Sequence, residues 1–389
     1  MGGERWRGAG RADPERLMAV PFMPKAVAEL PWKMLWVVVA LAAFGALGLY
    51  SAAGGSIMPW ALPHAIRFLV FLALALGLSY FQPRTFQEFA WAAYGGGILL
   101  LILTLGLGAI GGGARSWLEL GFIRIQPSEL MKPIIVLVLA RFYAQVPPRE
   151  IGRWSALWPA GAILVVPIGL ILLQPDLGTA TLIVFNTIAL MFLAGLPLWY
   201  FLGGAAAVGA AIPIAFSFLL PHQKERVLIF LNPEQDPLGA GYHITQSQIA
   251  IGSGGAFGKG FLNGSQSHLQ YLPEQHTDFI FSALAEEWGL AGGLVLITLF
   301  YLLVRWGLRV ALDAQDRFER LAAGGLTLTI FFYIAVNLMM VMGLAPVVGI
   351  PLPLVSWGGS SMLTVMICLG ILMAIDRKNR FDPRRRSNP

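Results

Sequence analysis

Apolar residues dominate this chain in long runs, and charged residues concentrate in the breaks between them. A helix needs about 20 apolar residues to cross the hydrocarbon core of a bilayer. Runs of that length predict helices over 34–53, 64–81, 87–108, 129–146, 155–173, 177–196, 198–220, 288–308, 321–343 and 355–375. The expected fold class is all-α, a polytopic integral membrane protein of about ten transmembrane helices. One connection is long, residues 221–287 between the seventh and eighth spans, and a segment of that size between compact helices is usually functional or disordered. The organisation this predicts is a tail over 1–33, a membrane domain over 34–375 that includes the long loop, and a basic tail over 376–389.

Composition sharpens the class. The chain is 57% hydrophobic and 12% charged, against roughly 25% charged residues in soluble domains. Its net charge of +6 comes from the ends, where Arg5, Arg7, Arg11, Arg16, Lys25 and Lys33 precede the first span and Arg377, Lys378, Arg380 and Arg384–Arg386 follow the last. That distribution reads as membrane topology and gives no sign of nucleic-acid binding. An even number of spans returns both basic ends to the cytoplasm. The predicted inner turns carry Arg84, Arg149, Arg153, Arg305, Arg309, Arg317 and Arg320, whereas 54–63 and 344–354 hold no Lys or Arg. The long loop is then extracytoplasmic. No cleavable signal peptide is expected in 1–33. The single cysteine, Cys368, lies in the last apolar run, which excludes an intrachain disulfide. No GxxxxGK[ST] loop is present and no GxGxxG follows a strand, so nucleotide-driven chemistry finds no support.

The candidate chemistry gathers at the expected outer side. LPEQHTDFIFSALAEEWG (272–289) carries Glu274, Asp278, Glu286 and Glu287 with His276 in an otherwise apolar chain. A helix expected to begin between Pro273 and Thr277 puts Glu274 and Asp278 on one face, with Glu286 about 80° and Glu287 about 180° from Asp278. A carboxylate near lipid is costly and is a functional-site hypothesis by default; a partly desolvated aspartate gains basicity. An ion pair or helix-start charge is the structural alternative. Arg115 and Arg124, Glu129 and Lys132 in IQPSELMKP, and Asp176 in LLQPDLGTA are expected on the same side. Glu129 and Lys132, three apart, can pair on one helix face. Glycines 252, 254, 255, 258, 260 and 264 surround Lys259, a pattern that fits an anion-binding concavity or a connector. His222, His243, His268 and His276 match no zinc-ligand spacing, so no metal site is predicted from them.

Two function classes fit these residues equally. One is an enzyme acting on a lipid-linked, pyrophosphate-activated sugar at the outer face, with Asp278 as base and cations on the leaving diphosphate. The other is a transporter or lipid flippase, which buried charges and the proline-interrupted GLAPVVGIPLPLVSWGGSS (343–361) also suit.

Five motifs in order, IQPSELMKP (125–133), QPDLGTA (174–180), DPLGAGYHITQSQIAIGSGGAFGKGFLNGSQ (236–266), the 272–289 stretch and PVVGIPLPLVSWGGSS (346–361), resemble the shape, elongation, division and sporulation (SEDS) family, in particular its rod-elongation branch. The resemblance runs from about Leu30 to Arg377. It implies a peptidoglycan glycosyltransferase that polymerises lipid II into β-1,4-linked glycan strands with inversion, in the bacterial cytoplasmic membrane, during elongation and cell-shape maintenance. The family's essential aspartate matches Asp278. Arg115, Arg124, Glu129 and Lys132 match its polar cavity, and Lys259, Glu274 and His276 complete the candidate substrate-binding set. The implied partners are a class B penicillin-binding protein, lipid II with the growing strand, and other membrane proteins of the elongation machinery. No cofactor is required by the motifs; a divalent cation, Mg or Mn, assisting the pyrophosphate is an expectation, and lipid II flipping is the alternative activity.

Overall fold

A computed structural model describes residues 28–111, 114–120, 123–218, 240–269, 271–272 and 274–381. Among them are ten helices of 18 residues or more: α1 (Trp32–Ala52), α2 (Ala61–Ser79), α3 (Pro83–Leu107), α4 (Pro127–Gln145), α5 (Trp154–Leu172), α6 (Leu177–Ala194), α7 (Leu198–Phe218), α10 (Ile280–Asp313), α11 (Arg317–Val341) and α12 (Gly359–Phe381). Two shorter ones, α8 (Ala240–Ser253) and α9 (Ser265–His268), lie in the long connection. Eight of the described helices are long and apolar enough to cross a membrane. Helix α4 is outside that set because it carries Glu129, Lys132 and Arg141, and α7 is apolar over its described stretch Leu198–Ala211. The protein is an integral membrane protein built of helices.

Local signals place the ends. Pro83 and Pro127 open α3 and α4 at the first helical position, where a missing N–H costs nothing. Asp176 caps α6 by accepting from Thr179 N–H at 3.0 Å, and Asp316 caps α11 through Phe318 and Glu319 N–H. Helix α11 is mostly buried between α4, α6 and α10, and α12 packs on α2 and α11. The outer helices expose apolar side chains such as Leu69 and Val70 on α2 and Leu99 and Ile102 on α3, the arrangement lipid requires.

Hydrogen bonds define two ends of the bundle. At one, Gln275 donates to the Ala52 carbonyl, Gln126 to Asp176, and Asn337 to Asp278 and Ile350. At the other, Arg141 reaches Gln87 and Glu88, Arg377 reaches Tyr80, Arg380 reaches Glu29, and Arg317 donates to the Val146 carbonyl. The basic side chains of the helix ends are thus gathered opposite Asp278.

Three features differ from the hydropathy reading. The segment after α3 is an antiparallel three-stranded sheet, β1 (Ala109–Gly111), β2 (Ala114–Leu120) and β3 (Ile123–Ile125), in the order β1-β2-β3. Helix α12 runs on to Phe381, past the boundary expected at 375. Finally, α10 begins at Ile280, not between Pro273 and Thr277, and Glu274 sits at φ 48° in the preceding turns. The helical-wheel relation between Glu274 and Asp278 therefore does not apply. Residues 1–27, 219–239 and 382–389, which hold much of both expected tails and His222, lie outside the described residues.

Helix α10 is broken at Gly289, where φ is 65° and ψ −162°. The break frees backbone groups that need partners, and the glycine-rich loop after α8 supplies them. Lys259 and Gly260 N–H donate to the carbonyls of Glu286 and Glu287 at 3.0 Å, while Leu290 and Ala291 N–H donate to Gly255 and Ala256 at 2.9 and 3.0 Å. Only glycine fits this splice: a Cβ on Gly289 would lie 2.3 Å from the Gly258 nitrogen, and one on Gly258 would lie 2.0 Å from the Glu287 carbonyl. The cluster that the sequence offered as an anion cradle or a connector is a tight backbone joint.

Candidate active site

Segments far apart in sequence assemble the turn that carries Asp278. Between α11 and α12 the chain forms a non-helical loop turned by Gly343 at φ 75° and Gly349 at φ 68°. Asn337, near the end of α11, donates one amide hydrogen to the Asp278 carbonyl at 2.8 Å and the other to the Ile350 carbonyl at 2.7 Å. Trp357 N–H donates to the His276 carbonyl at 2.8 Å. The loop and the Asp278 turn are thereby fastened side by side. The Asp278 carboxylate faces Gly349: a Cβ placed there would be 3.6 Å from Oδ2.

Around this pair stand an aromatic wall and a cation. The His276 ring stacks on Trp60, which precedes α2, with centroids 4.4 Å apart and planes 6° from parallel. Glu274 Oε2 accepts from Thr277 Oγ1 at 2.9 Å and lies 4.0 Å from His276 Nε2. Arg67 of α2 lies 4.1 Å above the Trp357 ring and close to Gly359, the first residue of α12. Stacking on an aromatic face leaves the guanidinium donors available.

The electrostatics separate the acids. Among the described residues no cation pairs with the Asp278 carboxylate, and burial, followed by the neighbouring charge of Glu274, pushes its pKa up from 3.8 to about 6. Burial likewise holds His276 below its usual value, with Glu274 acting in the opposite direction. At neutral pH this gives an ionised aspartate of raised basicity beside a neutral imidazole.

The other candidates from the sequence lie apart from this turn or are already paired. Lys132 donates to Glu129 at 2.6 Å and to the Tyr333 hydroxyl at 2.8 Å, and that hydroxyl donates to Glu129 in turn. The three side chains close a buried network between α4 and α11. Arg124 is exposed and pairs with Glu119 across β2 and β3. Arg115 is on β2, but its side chain lies outside the described residues. Lys259 donates at 2.6 Å to the buried Glu286, which also accepts from Ser265 Oγ and Gln266 N–H. Asp176 ties α6 to the start of α4 through Gln126 at 2.9 Å and Ser128 at 3.0 Å. Glu287 accepts from Ser51 of α1. Sequence reasoning passed over Arg67, Asn337 and Trp60. Arg67 did leave a signal, being the only charged residue in the run 64–81.

A family model described as "Cell cycle protein", covering FtsW, RodA and SpoVE, matches residues 32–381. The chain belongs to the SEDS family. Among SEDS relatives, the Escherichia coli K12 peptidoglycan glycosyltransferase MrdB is 45% identical over 348 residues, 88% of this chain and 92% of its own length. A chain from a structure described as the structural coordination of polymerization and crosslinking by a peptidoglycan synthase complex superposes with a TM-score of 0.80 at 34% identity, covering 91% of this chain and 99% of that one. The rod shape determining protein RodA of Thermus thermophilus gives 0.68 at 29% identity, with 91% and 98% covered. The SEDS fold of this chain is thus matched over nearly its whole length.

Proposed function

We propose that this SEDS protein is a peptidoglycan glycosyltransferase that polymerises lipid II into β-1,4-linked glycan strands, with Asp278 as general base. The observation that carries the reading is a carboxylate that no cation pairs among the described residues, raised to about 6 by burial and fastened beside a loop whose far end carries Arg67. Supporting it, a relative 45% identical over 88% of the chain is named a peptidoglycan glycosyltransferase. In the proposed step Asp278 takes the proton of the acceptor sugar hydroxyl, and that oxygen attacks the anomeric carbon of the donor. The bond to the pyrophosphate oxygen breaks as the new bond forms, and the lipid diphosphate leaves with its charge met by Arg67. One displacement inverts the α-linked donor to a β linkage, so no second carboxylate is needed as nucleophile.

Among the described residues no group of three or more His, Cys, Asp or Glu side chains gathers to hold a metal ion. The proposal names protein side chains as base and cation, and any contribution of Mg or Mn is read by adding EDTA to the assay. A class B penicillin-binding protein as crosslinking partner is supported by the synthase complex to which a similar chain belongs. An elongation role is supported by the rod-shape relative. The bacterial cytoplasmic membrane, with Asp278 on the outer side, is supported by the basic side chains gathered at the opposite end.

The test gives lipid II to the purified protein with its transpeptidase partner in detergent and looks for glycan strands. Wild type is expected to form them and Asp278→Ala is not. Equal strand formation by both would remove Asp278 as base, and lipid translocation in liposomes without strands from either would replace the polymerase by a flippase.

A further inference from the structure

Asn337 sits in an arrangement that the proposed chemistry does not yet use. Its side chain is completely buried in α11, yet it makes no bond within its own helix. Both neighbours of its amide nitrogen are main-chain carbonyls, so the orientation of the amide is fixed: only Nδ2 can face two acceptors. One is the carbonyl of Asp278 itself and the other belongs to Ile350, the residue after the glycine that the Asp278 carboxylate faces. The remaining atom, Oδ1, is buried and meets no donor among the described residues. An orphaned buried acceptor is destabilising, so packing alone does not account for an asparagine here; its two donated bonds do.

We infer that Asn337 is a positioning residue for Asp278, one amide that clamps the turn carrying the carboxylate to the loop wall it faces. The inference rests on the reading of Asp278 as base. Without the clamp the Asp278 turn keeps the Trp357 to His276 bond at one side but loses its tie to α11 and to Ile350. The carboxylate then samples positions off the line of the acceptor hydroxyl, and water enters between turn and loop. Misplacement of about 1 Å is enough to cost on the order of 100-fold in rate, whereas substrate contacts made elsewhere are unaffected.

The groups that face Asp278 make its titration a clean reporter. Among the described residues, Glu274 and His276 share its turn, His243 of α8 stacks on the adjacent Phe279, Asn337 is neutral, the loop over 346–358 holds no ionisable residue, and Arg67 is at that loop's far end on Trp357. Hydration of the turn relieves the burial that raises the carboxylate, so the acid limb of the pH–rate profile moves to lower pH.

The experiment measures strand formation from lipid II by the full-length protein with its transpeptidase partner, for Asn337→Leu, Asn337→Ser and Asp278→Asn. Asn337→Leu keeps volume and removes the donors; its kcat is expected to fall about 10- to 100-fold with KM nearly unchanged, and its acid limb to shift downward. Asn337→Ser, with a hydroxyl donor, is expected to recover part of the rate and decides the matter if Asn337→Leu does not fold. A wild-type kcat and acid limb in a folded variant would overturn the inference, as would a loss that follows the folded fraction alone. Activity in Asp278→Asn would instead overturn the reading of Asp278, so the two failures are distinguishable.

Discussion

Asp278 and Glu286 lie eight positions apart in one short stretch, and their surroundings are opposite. Glu286 is fully buried and receives Lys259, Ser265 and a backbone amide, so its charge is met on every side. Asp278 keeps partial contact with solvent, meets no cation among the described residues and sits near another acid. Removing a partner from Glu286 strands a charge, whereas the Asp278 carboxylate already lacks a cation among the described residues. The Glu129–Lys132–Tyr333 network repeats the Glu286 pattern in the middle of the bundle. Glu286 and Glu129, with their partners, hold segments together; Asp278, with no cation among the described residues, is left able to accept a proton.

The contrast can be broken most directly at Asp278. Asp278→Asn is expected to lower strand formation by about 100-fold or more without loss of folding. Its folded-state pKa is raised above the usual value, so the native state is favoured by the protonated form, and that advantage is lost as pH rises from about 4 to about 6. Asp278→Asn is therefore expected to unfold at a higher temperature than wild type at pH 7 and to show no such gain at pH 4, as read by thermal unfolding in detergent.

Lys259→Met attacks the other side of the comparison. It leaves Glu286 buried without its cation and is expected to destabilise by about 3 kcal/mol, with partial recovery when Glu286→Gln is added. A smaller effect follows from Glu274→Gln, which removes the like charge near Asp278. The acid limb of the pH–rate profile is expected to move downward, with the rate at pH 7 changed only a few-fold by that linkage. Least of all, Arg124→Ala breaks an exposed pair and is expected to alter stability by less than about 1 kcal/mol, measured in the same unfolding assay.

Hydropathy located the helices because each membrane-length apolar run has one stable way to satisfy its backbone. The predicted run 321–343 and the observed Arg317–Val341 differ by a few residues at the ends. The strands at 109–125 carry no such run, so nothing in their hydropathy announced them. In the site, Asp278 stood out as a charge at the edge of an apolar stretch. Its phase relation with Glu274 was misread because the wheel assumes a helix where the chain makes turns before Ile280. The pairing of Lys259 with Glu286 spans 27 residues and depends on a backbone joint that no local pattern encodes. Asn337 reads as one polar residue in an apolar helix until the two carbonyls beside it are seen.

The break at Gly289 also works as a ruler. An unbroken helix from Ile280 to Asp313 would be roughly 51 Å long at 1.5 Å per residue, well beyond the ~30 Å hydrocarbon core. Cut at the glycine, the part from Leu290 to Asp313 is about 36 Å long, which fits that core with modest tilt. The part from Ile280 to Trp288 need not share that axis and is buried almost throughout, held by the splice to the glycine-rich loop. One glycine thus divides a helix too long for a bilayer into a membrane-length piece and a short buried piece that starts two residues after Asp278.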